Sequence, residues 1–175
     1  MRKLLLIGVV CVSACATMNE PPIDWDEITP WVEQEPVALP VYPQEKNLKS
    51  FFVSAATDNK FYLDAPSISI GTDGVVHYTL VVKSPQGAKN ITFEGMRCAT
   101  KEKKVYALGH DDGTWARTRA PKWERIHYKD TNRQHHMLYD DFLCPGAIEA
   151  GSAQEVIKAL EAGRHPRAIG GSFLN

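Results

Sequence analysis

The fold of this chain is decided by two runs, DGVVHYTLVV at residues 73–82 and ITFEGMRC at residues 91–98. Asp-Gly followed by alternating residues is among the strongest short-range signals of a β-hairpin, so the first run predicts a tight turn that opens a strand. Every second residue from Val76 to Val82 shares one face of this strand, and the intervening residues are also largely apolar. Both faces are therefore expected to be at least partly covered, and the second run predicts the antiparallel partner strand.

Further short runs with strand character lie on both sides of this hairpin, separated by turn-forming residues. They are residues 48–53, 60–64, 67–70, 105–109 and 114–117, with 122–128 as an edge-strand candidate. After Pro121 the pattern predicts two helices, one from Thr131 to Leu143 and one opened by a capping box at residues 152–155 and ended by Gly163. We therefore predict an α+β fold, an antiparallel β-meander of about six strands with two C-terminal helices packed on it.

The composition is that of one globular domain with a proper core, since the chain has 175 residues, of which 43% are apolar and 23% are charged. A formal net charge of −1 and the lack of a basic stripe argue against nucleic-acid binding. The sequence contains no nucleophile elbow, phosphate loop, dinucleotide-binding fingerprint, zinc-protease motif or Cys-x-x-Cys pair. We therefore predict no cofactor and no metal centre, and we favour a non-catalytic role over an enzyme.

The first fourteen residues predict a lipoprotein signal peptide. A basic pair at residues 2–3 precedes an apolar run at residues 4–12, which is too short to span a bilayer. The run leads into VSAC at residues 12–15, which resembles a bacterial lipobox. The cysteine thiol of a lipobox forms a thioether to diacylglycerol, and several acyl chains then hold the protein stably on the membrane. We therefore expect Cys15 to be the lipid attachment site and the first residue of the mature chain.

The alternative is a soluble periplasmic protein, cleaved by the general signal peptidase near Ala14 or Ala16, in which Cys15 has no special role. An aspartate directly after the lipobox cysteine is an inner-membrane retention signal in enteric bacteria, and this chain has Ala16 there. The sequence therefore favours an outer-membrane location, facing the periplasm or the cell surface.

Residues 15–43 predict a proline-rich tether between the lipid and the folded body. Six of the eleven prolines fall within it, and this density excludes a long helix. The body is predicted to occupy residues 44–165, followed by a loose tail at residues 166–175. Trp25 and Trp31 do not suit an inert spacer, so they either fold back onto the body or form a partner-binding motif.

Two cysteines, Cys98 and Cys144, remain in the predicted body. An even number of cysteines in an oxidising compartment predicts a disulfide, and nothing has the spacing of a redox pair. Because Cys98 ends a predicted strand and Cys144 ends a predicted helix, the bond would join the helix to the sheet. Closing a loop of this length stabilises a fold by about 4 kcal/mol in the chain-entropy description.

Charged and aromatic residues gather on neighbouring strands late in the predicted meander. They are Glu94, Arg97, Trp115, Arg117, Arg119 and Trp123. Arg97 shares a strand face with Ile91 and Phe93, so it needs a partner there. The group predicts either an ion pair that fixes the strand register or a binding groove, in which arginine holds an anion and tryptophan forms a platform.

Two histidine motifs are weaker candidates. His110, Asp111 and Asp112 have the groups for metal or acid–base chemistry, but Asp-Asp-Gly between two strands is also what a turn needs. His135 and His136 are adjacent on a predicted helix and point about 100° apart, which is poor geometry for a shared metal ion. We predict a turn for the first motif and surface positions for the second.

The body also carries spaced motifs: DGVV-x-YTL at residues 73–80, GA-x-NI-x-FEG-x-RC at 87–98, DG-x-W at 112–115 and LCP at 143–145. Over residues 39–145 these motifs resemble the cryptic neisserial protein (CNP-like) family, a set of proteobacterial envelope proteins. The resemblance implies an envelope address and brings no catalytic residues. His77 occupies a position where many members have arginine.

The sequence therefore favours an interaction or envelope-assembly module, attached to the membrane through Cys15 and contacting an envelope protein partner. One alternative is an envelope hydrolase that uses His110, Asp111 and Asp112. Another is a protein that binds a small ligand in a sheet-lined cavity or at the Glu94 group.

Overall fold

The computed structural model describes residues 30–36, 38–127 and 133–168. The chain divides into two compact units between Pro30 and Trp31, and of the first unit only Pro30 is described. The predicted signal peptide, Cys15, Trp25, the predicted helix start at Thr131 and the end of the predicted tail lie outside the described residues. Within the described ranges, no helix is both long and apolar enough to cross a membrane.

The described strands form one antiparallel sheet. They are β1 (Leu48–Phe51), β2 (Lys60–Asp64), β3 (Ser69–Ile70), β4 (Val75–Lys83), β5 (Lys89–Arg97), β6 (Glu102–Gly109), β7 (Trp115–Arg117) and β8 (Glu124–Arg125). The spatial order is β1-β2-β4-β5-β6-β7, while β3 pairs with β4 and β8 pairs with β6. The two runs that decide the fold become β4 and β5, the long central strands, so the predicted antiparallel meander is confirmed.

The predicted Asp-Gly turn opens β4. Gly74 has φ +79°, a conformation that costs glycine little, and Asp73 Oδ1 accepts a hydrogen bond from the Val75 N–H at 3.2 Å. The Gly71 N–H donates to the Val75 carbonyl at 2.8 Å and closes the turn. The turn therefore starts β4 at the residue that the sequence pattern predicts.

Two helical segments follow the sheet, as predicted. Helix α1 (Arg133–Met137) continues as a π-helical stretch, Leu138–Leu143, in which the Cys144 N–H donates to the Tyr139 carbonyl five residues earlier. Helix α2 (Ala153–Ala162) has Ser152 as its N-cap, with the Ser152 hydroxyl accepting from the Glu155 N–H, and it ends at a left-handed Gly163. The capping prediction is confirmed, although the Glu155 carboxylate binds the N–H of Gly151.

The two helices cover one face of the sheet, which we call the helix face. Its core joins strand residues such as Val76, Tyr78 and Leu80 to the side chains of the helical segments. The Cys98–Cys144 disulfide, with 5.4 Å between its Cα atoms, links the end of β5 to the end of the π-helical stretch. The predicted covalent link between helix and sheet is therefore confirmed.

An extended N-terminal segment covers the opposite face. We call it the strap and define it as residues 31–36 and 38–43; the face beneath it is the strap face. Leu39 of the strap packs with Trp115 against a small cluster of Phe93, Tyr106 and Ala107. The described folded unit thus begins at Trp31, whereas the sequence placed the start of the body at residue 44, because the aromatic and acidic residues of this segment find partners on the sheet.

Candidate functional site

The strap begins at the end of the sheet where β4 starts. The Trp31 indole donates to the Asp73 carbonyl at 2.8 Å, and the Gln34 N–H donates to the Asp73 carboxylate at 2.7 Å. The Arg97 guanidinium lies over the Trp31 ring, 3.7 Å from its centroid, and the Trp123 ring meets Trp31 edge-on at 6.0 Å. Trp31 therefore folds back onto the body, and an aromatic ring is the partner that Arg97 needs on this face.

Glu33 is the centre of a second group of strap contacts. Its carboxylate accepts hydrogen bonds from the Lys104 ammonium at 2.8 Å, the Tyr106 hydroxyl at 2.8 Å and the Trp123 indole at 3.0 Å. Lys104 is only 4% exposed and also binds Glu35 of the strap. Burial alone would raise the pKa of Glu33, but the three hydrogen bonds and the charge of Lys104 outweigh it and lower that pKa.

A β-bulge brings Tyr106 to Glu33. The register of β5 with β6 shifts between Phe93 and Glu94, which leaves Tyr106 as the extra residue of β6. Gly95 makes room for this ring, because a Cβ at that position would lie 2.7 Å from the Tyr106 hydroxyl. Gly95 therefore leaves the space in which Tyr106 reaches Glu33.

Glu94 lies on the helix face, fully enclosed between the sheet and α1, with 2% of its surface exposed. Its carboxylate accepts from the Tyr78 hydroxyl at 2.8 Å and the Thr92 hydroxyl at 2.6 Å, and His135 Nε2 lies 2.8 Å away. Burial raises the pKa of Glu94, but His135 and the hydroxyl hydrogen bonds outweigh it and lower that pKa. The group is therefore an ionised, internally satisfied carboxylate that ties α1 to the sheet.

The prediction that both helical histidines lie on the surface is wrong for His135. Its side chain is buried because the Glu94 carboxylate binds it, whereas the neighbouring His136 is half-buried and lies 3.1 Å from Asp140 on the next helical turn. The adjacent rings therefore point to different partners, Glu94 and Asp140.

Trp115 holds the far part of the strap. Its ring packs on Tyr42 at 5.4 Å and on Phe93 at 6.4 Å, and its indole donates to the Pro40 carbonyl at 3.0 Å. Arg117, two residues along β7, is exposed. Trp115 therefore binds the strap through both its ring and its indole N–H.

The residues predicted as one binding group do not form one site. Arg97, Trp115 and Trp123 face the strap, while Glu94 faces the helices on the other side of the same sheet. Arg117 and Arg119 are both exposed. The side-chain alternation of β5 separates Glu94 from Arg97, because even and odd positions of a strand point to opposite faces.

The His110 motif forms a turn. Asp112 Oδ1 accepts from the Thr114 N–H at 2.9 Å and the Thr114 hydroxyl at 2.6 Å, while the His110 carbonyl accepts from the Tyr42 hydroxyl. His110, Asp111 and Asp112 are exposed and lie in no cavity with Glu94, which is enclosed elsewhere. In the part of the chain that the structure describes, no cluster of three or more His, Cys, Asp or Glu side chains can hold a metal ion.

A groove of about 810 Å³ opens on the helix face, at the end of the sheet opposite Trp31. It lies between the loop after β1, the β4–β5 hairpin and the first turn of α1. Its lining residues are Val53, Ser54, Ala56, Thr57, Asn59, Phe61, Val82, Ser84, Ala88, Lys89, Asn90, Arg133 and Gln134. Sequence reasoning missed this site because its residues come from three distant segments and form no motif.

Comparison with known proteins agrees with the resemblance seen in the motifs. No curated protein and no solved structure matches the chain. The family model of the CNP1-like family matches residues 26–161, a region that includes the strap, the whole sheet, the disulfide and most of α2. The chain belongs to the CNP1-like family.

Proposed function

We propose that this protein is a lipid-anchored lipoprotein of the bacterial envelope whose body is a non-catalytic interaction or assembly module. Cys15 carries the lipid, the outer membrane is the location, and an envelope protein or another envelope component is the partner. The observation that supports this proposal best is the docking of the strap. The segment that follows the predicted anchor is bound to the body through Glu33, Lys104 and Trp31.

The docked strap has a consequence for how the body is presented. The body is contacted from Trp31 onward, and the residues between Cys15 and Trp31 can span at most about 55 Å. The strap crosses its face of the sheet from Trp31, at the start of β4, to Tyr42, at the His110 turn, so the chain enters the body at one end of the sheet and leaves the helix face uncovered at the other end. Such an arrangement suits a body that is held near a membrane and contacts an envelope component on its far side.

The chemistry of the described residues favours binding over catalysis. The charged residues singled out as candidates stabilise the fold: Glu94 joins helix to sheet, and Arg97 supports Trp31. The His110 turn has its acids in solvent or in turn hydrogen bonds. Within the described ranges, the groove is lined by amides, hydroxyls, apolar groups and two cations, a set that can bind a ligand but has no acid–base pair.

The anchor is tested with a Cys15→Ala variant of the full chain in bacteria fed an alkyne analogue of palmitate. The wild type should incorporate the label and fractionate with the outer membrane, because the lipobox cysteine is the only acylated residue expected. Cys15→Ala should lose the label, and Cys11→Ala, which changes a cysteine in the apolar run, is the matched control. Labelling that persists in Cys15→Ala would contradict the lipid anchor.

The interaction role is tested by placing a photo-crosslinking residue at exposed apolar positions of the body in living cells. Phe52, Leu108 and Ile148 are suitable because each is exposed and they come from three different segments: the loop after β1, strand β6 and the link before α2. We expect a discrete crosslinked product from at least one position. No product from any of the three, with the protein correctly localised, would contradict the interaction module.

A further inference from the structure

We propose that the groove at the hairpin end of the helix face binds a peptide-like ligand with a free carboxylate. This inference deepens the proposed interaction role and rests on it. The ligand's carboxylate lies at Arg133, its amide groups along the rim and an apolar side chain on the floor.

The size and floor of the groove suit a small ligand. Its volume of about 810 Å³ lies within the range of roughly 300–1,000 Å³ that small-molecule sites occupy. The floor consists of Val53, Phe61 and Val82, which belong to the helix-face core or pack against it. An apolar side chain of a ligand would therefore continue the core of the protein.

The rim of the groove matches peptide groups. Asn59, Asn90 and Gln134 supply three side-chain amides from three different segments, and each amide has both donors and an acceptor. Ser54 and Ser84 add hydroxyls that donate or accept. A peptide bond also has one donor and one acceptor, so this rim can bind peptide groups in either direction along the groove.

The charged side chains that line the groove favour an anionic ligand. No Asp or Glu belongs to its lining in the described part of the chain, whereas Lys89 and Arg133 do. The Lys89 ammonium binds Glu45 at 3.0 Å, and Lys83, directly across the ladder, binds the same carboxylate. Arg133 is exposed and forms no ion pair with a described residue, so it is the lining cation that remains available to a ligand. A guanidinium can donate two parallel hydrogen bonds to one carboxylate. The arginine therefore favours a carboxylate over an anion that accepts only one such bond.

The position of the groove fits the attachment of the chain. Trp31 docks where β4 begins, and the groove lies where β4 ends and turns into β5. A nine-residue strand spans about 26 Å, so the chain entry and the groove lie at opposite ends of the sheet. The strap lies on the other face and leaves the groove open to a partner.

The test is titration calorimetry of the full mature chain with the tetrapeptide Gly-Ser-Val-Leu, as the free acid and as the C-terminal amide. We expect the free acid to bind with a Kd below about 1 mM and the amide to bind at least tenfold more weakly. Arg133→Gln should weaken binding of the free acid about tenfold and leave the amide unchanged. Arg125→Gln, which removes an exposed arginine from β8, should change neither.

A second variant keeps the test independent of Arg133. Asn90→Asp places a carboxylate on the rim, so it should weaken the free acid more than the amide, because charge repulsion adds to the loss of the side-chain N–H donors. Equal binding of both peptides, or no effect of Arg133→Gln, would overturn the proposal. Equally tight binding of inorganic phosphate would also overturn it, since the groove would then be a simple anion site. A failed titration alongside crosslinked products from Leu108 or Ile148 would reject the groove and leave the interaction role in place.

Discussion

The two faces of this sheet are closed by different chemistry. The helix face is covered by two helical segments whose apolar side chains form a continuous core, and a disulfide joins that cover to the sheet. The strap face is covered by a single extended segment, held by Glu33, Lys104 and a few aromatic rings. A face closed by many apolar contacts and a covalent bond tolerates the loss of one contact, whereas a face closed by a few charged contacts depends on each of them.

The energies of the two covers differ for the same reason. Each large apolar side chain that is fully buried contributes about 1.5–3 kcal/mol, and the helix face has many of them. The strap contributes few such side chains and is held mainly by ion pairs, in which the loss of Glu33 or Glu35 would leave the buried Lys104 charge poorly solvated. We therefore expect the strap to detach in a local opening, while the helix face is lost only in global unfolding.

The largest effect should come from the covalent link on the helix face. Replacing both cysteines, Cys98→Ala with Cys144→Ala, should lower the free energy of unfolding by about 4 kcal/mol, because the unfolded chain gains the freedom of a long loop. Urea denaturation of the oxidised wild type and the double variant measures this difference. A loss of less than about 1 kcal/mol would show that apolar burial alone holds the helix face.

The next effect tests the buried carboxylate. Glu94→Gln should lower the free energy of unfolding by about 2–3 kcal/mol, because two hydroxyl donors and His135 lose a charged acceptor inside the protein. Glu124→Gln is the control, since it removes an exposed carboxylate that pairs with Lys103, and such pairs contribute less than about 1 kcal/mol. Equal losses in the two variants would contradict the structural role of Glu94.

The sequence predicted the helix face better than the strap face, and the reason is physical. Alternation from Val76 to Val82, the capping serine of α2 and the cysteine pair are local or compositional signals, and each was confirmed. The burial of His135 was missed, because its partner Glu94 lies on a strand far away in the sequence.

The strap was interpreted as a tether because prolines and acids are typical of linkers. Its docking depends on pairs such as Glu33 with Lys104, which are 71 residues apart and have no local signature. The separation of Glu94 from Arg97 could have been predicted from the sequence. The two residues are an odd number of positions apart on one strand, so their side chains point to opposite faces. The groove at Arg133 had no readable signal, because three distant segments build it.

A smaller effect should follow from opening the strap face. Lys104→Met should destabilise the docked strap by about 1–2 kcal/mol, because Glu33 and Glu35 lose their cation but can turn towards water. Hydrogen exchange should then show faster exchange in residues 31–36 with little change in α2. Lys122→Met, at an exposed lysine, is the matched control. Faster exchange throughout the body would contradict a local opening of the strap.

The smallest effect is the pH dependence of the same contact. The pKa of Glu33 in the folded protein lies below its ordinary value of 4.5, because hydrogen bonds from Lys104, Tyr106 and Trp123 outweigh the effect of burial. A carboxyl with a lowered folded pKa stabilises the docked state fully above its unfolded pKa and loses that contribution as the pH falls through the folded value. The strap should therefore loosen only below about pH 4.5, and raising the pH above neutrality should not release it through this group.

Glu33→Gln separates this group from the other acids. At pH 7 the variant strap should exchange faster than that of the wild type, because the amide lacks the charge that Lys104 binds. Between pH 5 and pH 3 its exchange, corrected for the intrinsic rate, should change less than that of the wild type, because the titrating group is gone. Glu124→Gln removes a carboxylate elsewhere and should keep the wild-type profile. If Glu33→Gln and the wild type lost strap protection in parallel with falling pH, another acid would control the strap. Glu35 would then be the first to test, since it binds the same lysine.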